Sequence, residues 1–227
     1  MKQNYRNSFE KKSVFTGLHF FIIIFCFWLL FLNGIDVTAG YFGFPVATGD
    51  NSRRNFLLLA MGLYFFKSVI SQYVFMNREY RWSEALTSAL WLFIAYTTFV
   101  FTAGTIKYTT GRTEIAGIII LLIGILISLI SEYQRVSWLS NPENSGKLYR
   151  GGLFRLSRHV NYFGEAIIFT GFALITKSVW AYTIPVTLII VFSMVNIPMQ
   201  DKKLREKFGS EFDDYASHSK KMIPFLY

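Results

Sequence analysis

The sequence predicts an all-α chain, a polytopic helical membrane protein with about six transmembrane helices and a cytoplasmic amphipathic C-terminal helix. Three observations predict it. Of 227 residues, 52% are hydrophobic and only 16% charged, where a soluble domain carries roughly 25% charged residues. The mean hydropathy is +0.35. The apolar residues fall in long unbroken runs rich in the 24 Phe, 13 Tyr and 5 Trp, and no alternating strand pattern separates them. This composition excludes a disordered chain, a disulfide scaffold and an ordinary water-soluble enzyme. Cys26, the single cysteine, sits in one of the apolar runs.

The first run, Leu18 to Leu32, follows a segment carrying Lys2, Arg6, Lys11 and Lys12. Its flank, Asn33-Gly34-Ile35-Asp36, is not a small-x-small cleavage site, so a retained first helix with a cytoplasmic N-terminus is expected. Residues 34–53 are Gly-rich, contain Pro45 and read as a loop or re-entrant piece. A second span is expected from Phe56 to Met76, interrupted by Lys67, Ser68, Ser71 and Gln72. Polar groups there must face protein or a wet cavity. The third runs from Ala85 to Ala103, the fourth from Ile115 to Ile130. Residues 132–165 are polar, and two apolar stretches follow, Ala166 to Ile175 and Val179 to Ile197. The first of these crosses a membrane only if Tyr162 and Phe163 join it, giving six spans or five with a re-entrant piece. From Asp201 to Tyr227 charges alternate at helical spacing, as in a helix lying on the cytoplasmic surface. The change of texture at residue 132 divides the chain into residues 1–131 and 132–227.

The net charge is +9, from 23 Lys+Arg and 14 Asp+Glu. Much of that surplus lies between and after the apolar runs, which is the pattern of cytoplasmic loops in an integral, multi-pass protein of a bacterial inner membrane or endoplasmic reticulum. No nucleic-acid recognition motif accompanies it. The three histidines, His19, His159 and His218, are far apart in sequence, so no metal-ligand spacing exists. A Rossmann fingerprint and a Gly-x-Ser-x-Gly elbow are also absent.

Chemistry concentrates where the polar segment enters the fifth apolar stretch. Arg155, Arg158, His159, Asn161 and Glu165 fall within eleven residues. If that segment is helical, Arg158, Asn161 and Glu165 share one face, where guanidinium, amide and carboxylate together suit an anionic, hydrogen-bonding ligand. Arginines snorkelling to headgroups would explain the cations but not Asn161 and Glu165 at the edge of lipid.

The run Gly146-Lys147-Leu148-Tyr149-Arg150-Gly151-Gly152-Leu153-Phe154, then Asn161-Tyr162-Phe163-Gly164-Glu165 and Gly171-Phe172-Ala173-Leu174, resembles the C-terminal domain of steroid 5α-reductases. Ser131-Glu132-Tyr133, Asn141-Pro142, Asp214-Tyr215, Ser219-Lys220-Lys221 and Ile223-Pro224-Phe225 extend the resemblance over about residues 128–227. Arg158-His159 with Asn161-Tyr162, and Phe208 to Phe212 with Tyr215, also resemble sterol C14-reductases and isoprenylcysteine carboxyl methyltransferases. The methyltransferases usually carry Arg-His-Pro and an acidic pair before the last helix. Here Val160 stands at the Pro and Gln200-Asp201 at the acidic pair.

The resemblance implies an oxidoreductase that reduces a conjugated double bond of a steroid-like or other lipid substrate with NADPH. The alternative is a membrane methyltransferase using S-adenosylmethionine. A scaffold that kept the fold is a third reading, against which Glu165 at the membrane edge counts. By the same resemblance Asn161 and Glu165 hold or organise the nicotinamide end, and Glu132 and Tyr149 other parts of the cofactor. Arg158 lies near phosphate, His159 is a further cofactor-binding candidate through the sterol C14-reductase form of that step, and Lys202, Lys203 and Lys220 are candidates for the 2′-phosphate. The resemblance makes residues 1–131 the lipid-substrate half and 132–227 the cofactor-binding half. The reductases' acid groups are a Tyr and a Glu from the N-terminal spans, for which Tyr73, Glu84 and Tyr96 are candidates by type and location. The bland roles are interfacial or core aromatic for the two tyrosines, and helix N-terminal charge for Glu84 after Ser83.

Overall fold

The computed structural model describes residues 2–43, 50–104 and 109–227, with side chains from residue 8 onward. Pro45 and the side chains of Lys2 and Arg6 lie outside the described residues. Helices make up the fold: α1 Lys2–Phe31, α2 Gly34–Phe42, α3 Asn51–Ile70, α4 Trp82–Gly104, α5 Arg112–Leu139, α6 Val160–Thr176, α7 Thr183–Val191, α8 Ile197–Phe208 and α9 Ser210–His218. Among the described residues there is no strand, only a parallel bridge between Ser157 and Lys220. Five segments are long and apolar enough to cross a membrane: Ser8–Phe31, Asn51–Phe75, Trp82–Gly104, Arg112–Leu139 and Val179–Phe208. The fifth apolar stretch lies in the shorter α6, 17 residues long, which includes Tyr162 and Phe163.

The chain divides into two compact units. The first comprises residues 1–119 and 171–184. In it α1 packs against α2, α3 and α4, over a core that includes Leu29, Leu30, Leu57, Met61, Tyr96 and Phe99. Phe99 stacks on Phe172 with ring centroids 5.2 Å apart and planes within 5°, a contact worth about 0.5–1.5 kcal/mol beyond its burial. The polar interruptions of the second span are turned to protein. Lys67 is buried with its ammonium 5.6 Å over the Tyr64 ring, and the Gln72 amide donates to Ser68 Oγ at 3.2 Å.

Residues 34–42, within the stretch expected as a loop or re-entrant piece, are helical and form α2. Gly34 marks close packing instead of a turn, since a Cβ there would stand 2.7 Å from the Leu29 Cα and 2.8 Å from the Trp28 ring. The turns on either side are made by Asn33 (φ 58°) and Gly43 (φ 73°), both left-handed. At the α3 and α5 N-termini Arg53 Nε bonds Glu114 Oε1 at 3.1 Å, with both side chains fully buried. Lys177 reaches the same carboxylate at 3.2 Å and donates to the Thr109 carbonyl at 2.7 Å. Nearby, Asp50 accepts from the Thr110 N–H and hydroxyl and from the Ser52 N–H, which hold its pKa down to about 2.

The second unit comprises residues 120–170 and 185–227. Gly124 and Gly164 let α5 and α6 backbones touch: a Cβ on Gly124 would meet the Gly164 carbonyl and the Ile168 nitrogen at 2.7 Å. The last long span is not one regular helix. Phe192–Asn196 is a π turn before α8, where Pro198 lacks the N–H that would bond back four residues. The expected helix over 201–227 is also broken. Gly209 adopts φ 55°, ψ −128°, which ends α8, and α9 follows at Ser210. One face of α9 is apolar, and Phe212 and Tyr215 are buried with Leu148 against Leu204 and Phe208. Beyond His218 the tail hooks back, with the Met222 and Ile223 N–H groups both donating to the Tyr227 carbonyl.

Candidate functional site

Arg158 does not share the α6 face with Asn161 and Glu165, because α6 begins at Val160. Its backbone pairs with the tail instead. The Arg158 N–H donates to the Lys220 carbonyl at 2.9 Å and the His159 N–H to the Lys221 carbonyl at 3.1 Å. Ser157 Oγ donates to the Met222 carbonyl at 2.8 Å. These bonds fix the turn before α6 against residues 219–222 of the same unit.

The side chains held there converge on Asp201 of α8. Arg158 Nε lies 3.1 Å from both Asp201 oxygens, and its Nη2 donates to Oδ2 at 2.9 Å. Its Nη1 donates to the Ser219 carbonyl at 3.1 Å. His159 Nε2 stands 2.7 Å from Asp201 Oδ1, and a carboxylate only accepts, so Nε2 carries the proton. His159 stacks on Tyr162, and Tyr162 on Phe192 at 4.4 Å. Arg158 and His159 are thus buried and oriented by one acid. Of the five guanidinium N–H groups of Arg158, the Nε–H, one on Nη1 and one on Nη2 make these bonds. The remaining two belong to the side chain that lines the adjoining cavity.

That cavity measures about 340 Å³. Ser193, Ile197 and Pro198 supply its less charged wall, while Arg158, Lys202, Arg205 and Lys221 bring cations against the single carboxylate of Asp201. Lys202 and Arg205 also meet Glu206 at 4.0 Å and Asp213 at 2.8 Å, and Lys221 lies 5.1 Å over the Tyr227 ring. The first two of these contacts are exposed ion pairs, weak enough to exchange for a phosphate.

The other expected cofactor residues fall nearby in the chain but in separate settings. Asn161 is half-buried at the start of α6, and its amide makes no hydrogen bond to a described residue. One turn on, Glu165 accepts from Ser128 Oγ of α5 at 3.4 Å. Glu132 is half-buried near the end of α5. Tyr149 sits between Trp138 and Phe154, with ring centroids at 5.3 and 5.4 Å, and burial raises its pKa. Burial likewise raises the pKa of Tyr215, whose hydroxyl donates to the Phe154 carbonyl at 2.7 Å. Lys220 contributes its backbone, while its side chain is exposed, and Lys221 is the lysine of that pair lining the cavity.

The three candidate acids belong to the first unit. Tyr73, exposed at the end of the second span, shares its hydroxyl with Ser13 Oγ at 3.2 Å. Glu84 pairs with Arg78 at 2.7 Å. Tyr96 is fully buried, its hydroxyl 3.1 Å from His19 Nε2.

Sequence reasoning did not place Arg205, Lys221 or His19 in a site, and it marked Asp201 only as standing, with Gln200, where the methyltransferases carry their acidic pair. Asp201 lies 43 residues from Arg158, too far for any spacing rule. Besides that motif position, the sequence offered an acid standing beside Lys202 and Lys203 with Arg205 close by.

A protein family described as "Protein of unknown function (DUF1295)" matches residues 66–221. Among curated proteins the chain is similar to "3-oxo-5-alpha-steroid 4-dehydrogenase 1" of Bos taurus, 34% identical over 107 residues, 46% of this chain and 39% of that protein. It is also similar to "Steroid 5-alpha-reductase DET2" of Gossypium hirsutum, 28% over 114 residues, 50% and 42% of the two chains. A third relative is "Probable O-methyltransferase ustE" of Ustilaginoidea virens, 43% identical over 58 residues, 26% and 20% of the two chains. The matched stretch spans about two-fifths of the length of the two reductases.

Proposed function

Because the chain belongs to the DUF1295 family, which contains steroid 5α-reductases, we propose that it is an integral membrane oxidoreductase that reduces a conjugated carbon–carbon double bond of a steroid-like or other lipid substrate with NADPH. The half-buried Asn161 amide, without a protein partner in the Asn161-Tyr162-Phe163-Gly164-Glu165 segment, carries this reading. With no partner among the described residues, both its N–H donors and its carbonyl remain open to a ligand.

The donor set fits the cofactor. Lys202, Arg205, Lys221 and the remaining Arg158 N–H groups bind phosphate, with Lys220 at the exposed edge. Asp201 and His159 position Arg158. Asn161 and Glu165 orient the nicotinamide end, and Glu132 and Tyr149 hold other parts. NADPH, when bound, supplies a hydride to the electron-poor alkene carbon. Residues 1–131 form the lipid half, where Tyr96 is the best placed of the three candidate acids because it alone is buried and bonded to an imidazole. Glu84 and Tyr73 keep their structural partners. The basic segments face the cytoplasm, and the N-terminus with them.

A second reading, methyl transfer from S-adenosylmethionine, is favoured by Arg158 and His159 both gripping Asp201, at the position where the methyltransferases carry an acid. It also has the O-methyltransferase relative.

Asn161→Ala and Glu165→Ala test the first reading. Each is expected to weaken NADPH binding to the detergent-purified protein about tenfold or more, the scale of one lost hydrogen bond. Unchanged affinity in both variants overturns the assignment.

A further inference from the structure

Four cations line the cavity of the second unit against one carboxylate, and that carboxylate, Asp201, is already engaged by Arg158 and His159. The surplus calls for a ligand that carries more than one negative charge. Of the three lysines expected to meet it, Lys202 lines the cavity, while Lys203 and Lys220 do not. Arg205, one turn on from Asp201 in α8, does. Its Nε donates to Asp213 Oδ1 at 2.8 Å, and its guanidinium carbon lies 5.5 Å from the Phe212 ring centroid. Neither of its Nη groups makes a hydrogen bond to a described residue. Asp213 therefore holds the guanidinium by one edge and leaves the fork of the other N–H groups open.

Ser193 points the same way. It is half-buried in the π turn Phe192–Asn196 and lines the same cavity. Helical hydroxyls elsewhere in the chain return to the carbonyl four residues back, as at Thr97, Thr98, Thr102 and Thr170. The Ser193 hydroxyl has no partner among the described residues. The wide turn interrupts the regular ladder at this point.

We infer that Arg205 selects the 2′-phosphate of the cofactor, with the Ser193 hydroxyl donating to the same group, so that the site takes NADPH in preference to NADH. This rests on the reductase reading. A phosphate monoester carries about −1.5 to −2 charge near neutral pH and three acceptor oxygens, which answers the surplus. Each phosphate of the dinucleotide's pyrophosphate is a diester and carries a single charge. Arginine's planar fork meets two phosphate oxygens at once, which a lysine ammonium cannot do. In NADH a neutral ribose hydroxyl stands in place of that phosphate, and the cations go uncompensated. The volume agrees. At about 340 Å³ the cavity lies at the low end of ligand pockets, about 300–1,000 Å³, so it takes one end of a dinucleotide and not the whole.

Adenosine 2′,5′-bisphosphate and adenosine 5′-monophosphate differ only by the group in question. In calorimetric titrations of detergent-purified wild-type protein the bisphosphate is expected to bind about tenfold or more tightly, the scale of one hydrogen bond to a charged group. Arg205→Gln is expected to erase most of that ratio. Its side chain is 61% exposed, so the substitution leaves no hole in the core. Arg205→Lys should keep part of the ratio, since the charge remains without the fork. Ser193→Ala should narrow it by a smaller factor, and an unchanged ratio there overturns the part given to that hydroxyl. Lys207→Gln removes the same charge from α8 outside the cavity. An equal fall in that variant overturns the fork and makes general surface charge the cause. A ratio that survives in Arg205→Gln overturns the inference. Inorganic phosphate bound as tightly as the bisphosphate overturns it too, marking a site for free phosphate or a lipid headgroup. Wild-type protein that binds NADPH and NADH alike overturns the 2′-phosphate assignment and leaves the reductase reading standing. Wild-type protein that binds neither overturns that reading itself, which separates the two failures.

Discussion

Asp201→Ala is expected to lower stability by about 3 kcal/mol, at the low end of the range for breaking a buried pair because Asp201 keeps some exposure. The substitution strands two groups at once. Arg158 and His159 side chains are only 7% and 6% exposed, and neither has another acid among the bonds described. Arg158 would retain the Ser219 carbonyl alone. In a chain of this length the loss corresponds to a fall in melting temperature of about 6–12 °C, readable by thermal denaturation in detergent. Asp201→Asn keeps an acceptor for His159 and should fall between the two. A melting temperature unchanged in Asp201→Ala would mean that the acid does not organise the turn before α6.

Glu114→Leu is expected to cost more, about 3–5 kcal/mol, because Arg53 and Glu114 are both fully buried. Glu114 Oε1 serves Arg53 and Lys177, and Oε2 accepts from the Gly111 N–H at 2.9 Å. Lys177 can retreat toward water, since it is 19% exposed. The Arg53 guanidinium cannot. A double replacement, Arg53→Met with Glu114→Leu, removes both charges and should recover most of the loss, so the cycle yields a large coupling. A double variant no more stable than Glu114→Leu would show that the lost carboxylate contacts, not the buried guanidinium, set the cost.

Long apolar runs were legible where lipid and helix coincide. Ala85 to Ala103 lies inside α4, and Ile115 to Ile130 inside α5. The ends were not, because hydropathy reports contact with lipid while a helix continues as long as its backbone bonds do. α1 therefore starts far before Leu18, and α5 runs past Glu132 to Leu139. Glycine misled at residue 34 because packing against Trp28 and Leu29 requires it there. It was equally silent at 209, where a backbone conformation closed to other residues splits the tail.

Of the candidate site, the motif from Asn161 to Glu165 and the neighbouring arginine were readable from residue type. Their relation was not. Arg158 leaves the α6 face because its backbone pairs with Lys220 across the chain. A partner 43 residues away, Asp201, determines where its guanidinium points. Long-range pairs of that kind have no period in the sequence. His19 was visible only as an isolated histidine, and its hydrogen bond to Tyr96, 77 residues on, follows no spacing either.

The most direct measurement is a calorimetric titration of detergent-purified wild-type protein with NADPH and, in parallel, with S-adenosylmethionine. Saturable NADPH binding, weakened by raised salt as expected of Lys202, Arg205 and Lys221 closing on phosphate, with no heat from S-adenosylmethionine, is the expected result. Tight S-adenosylmethionine binding without NADPH, or no binding of either, would contradict the reductase reading.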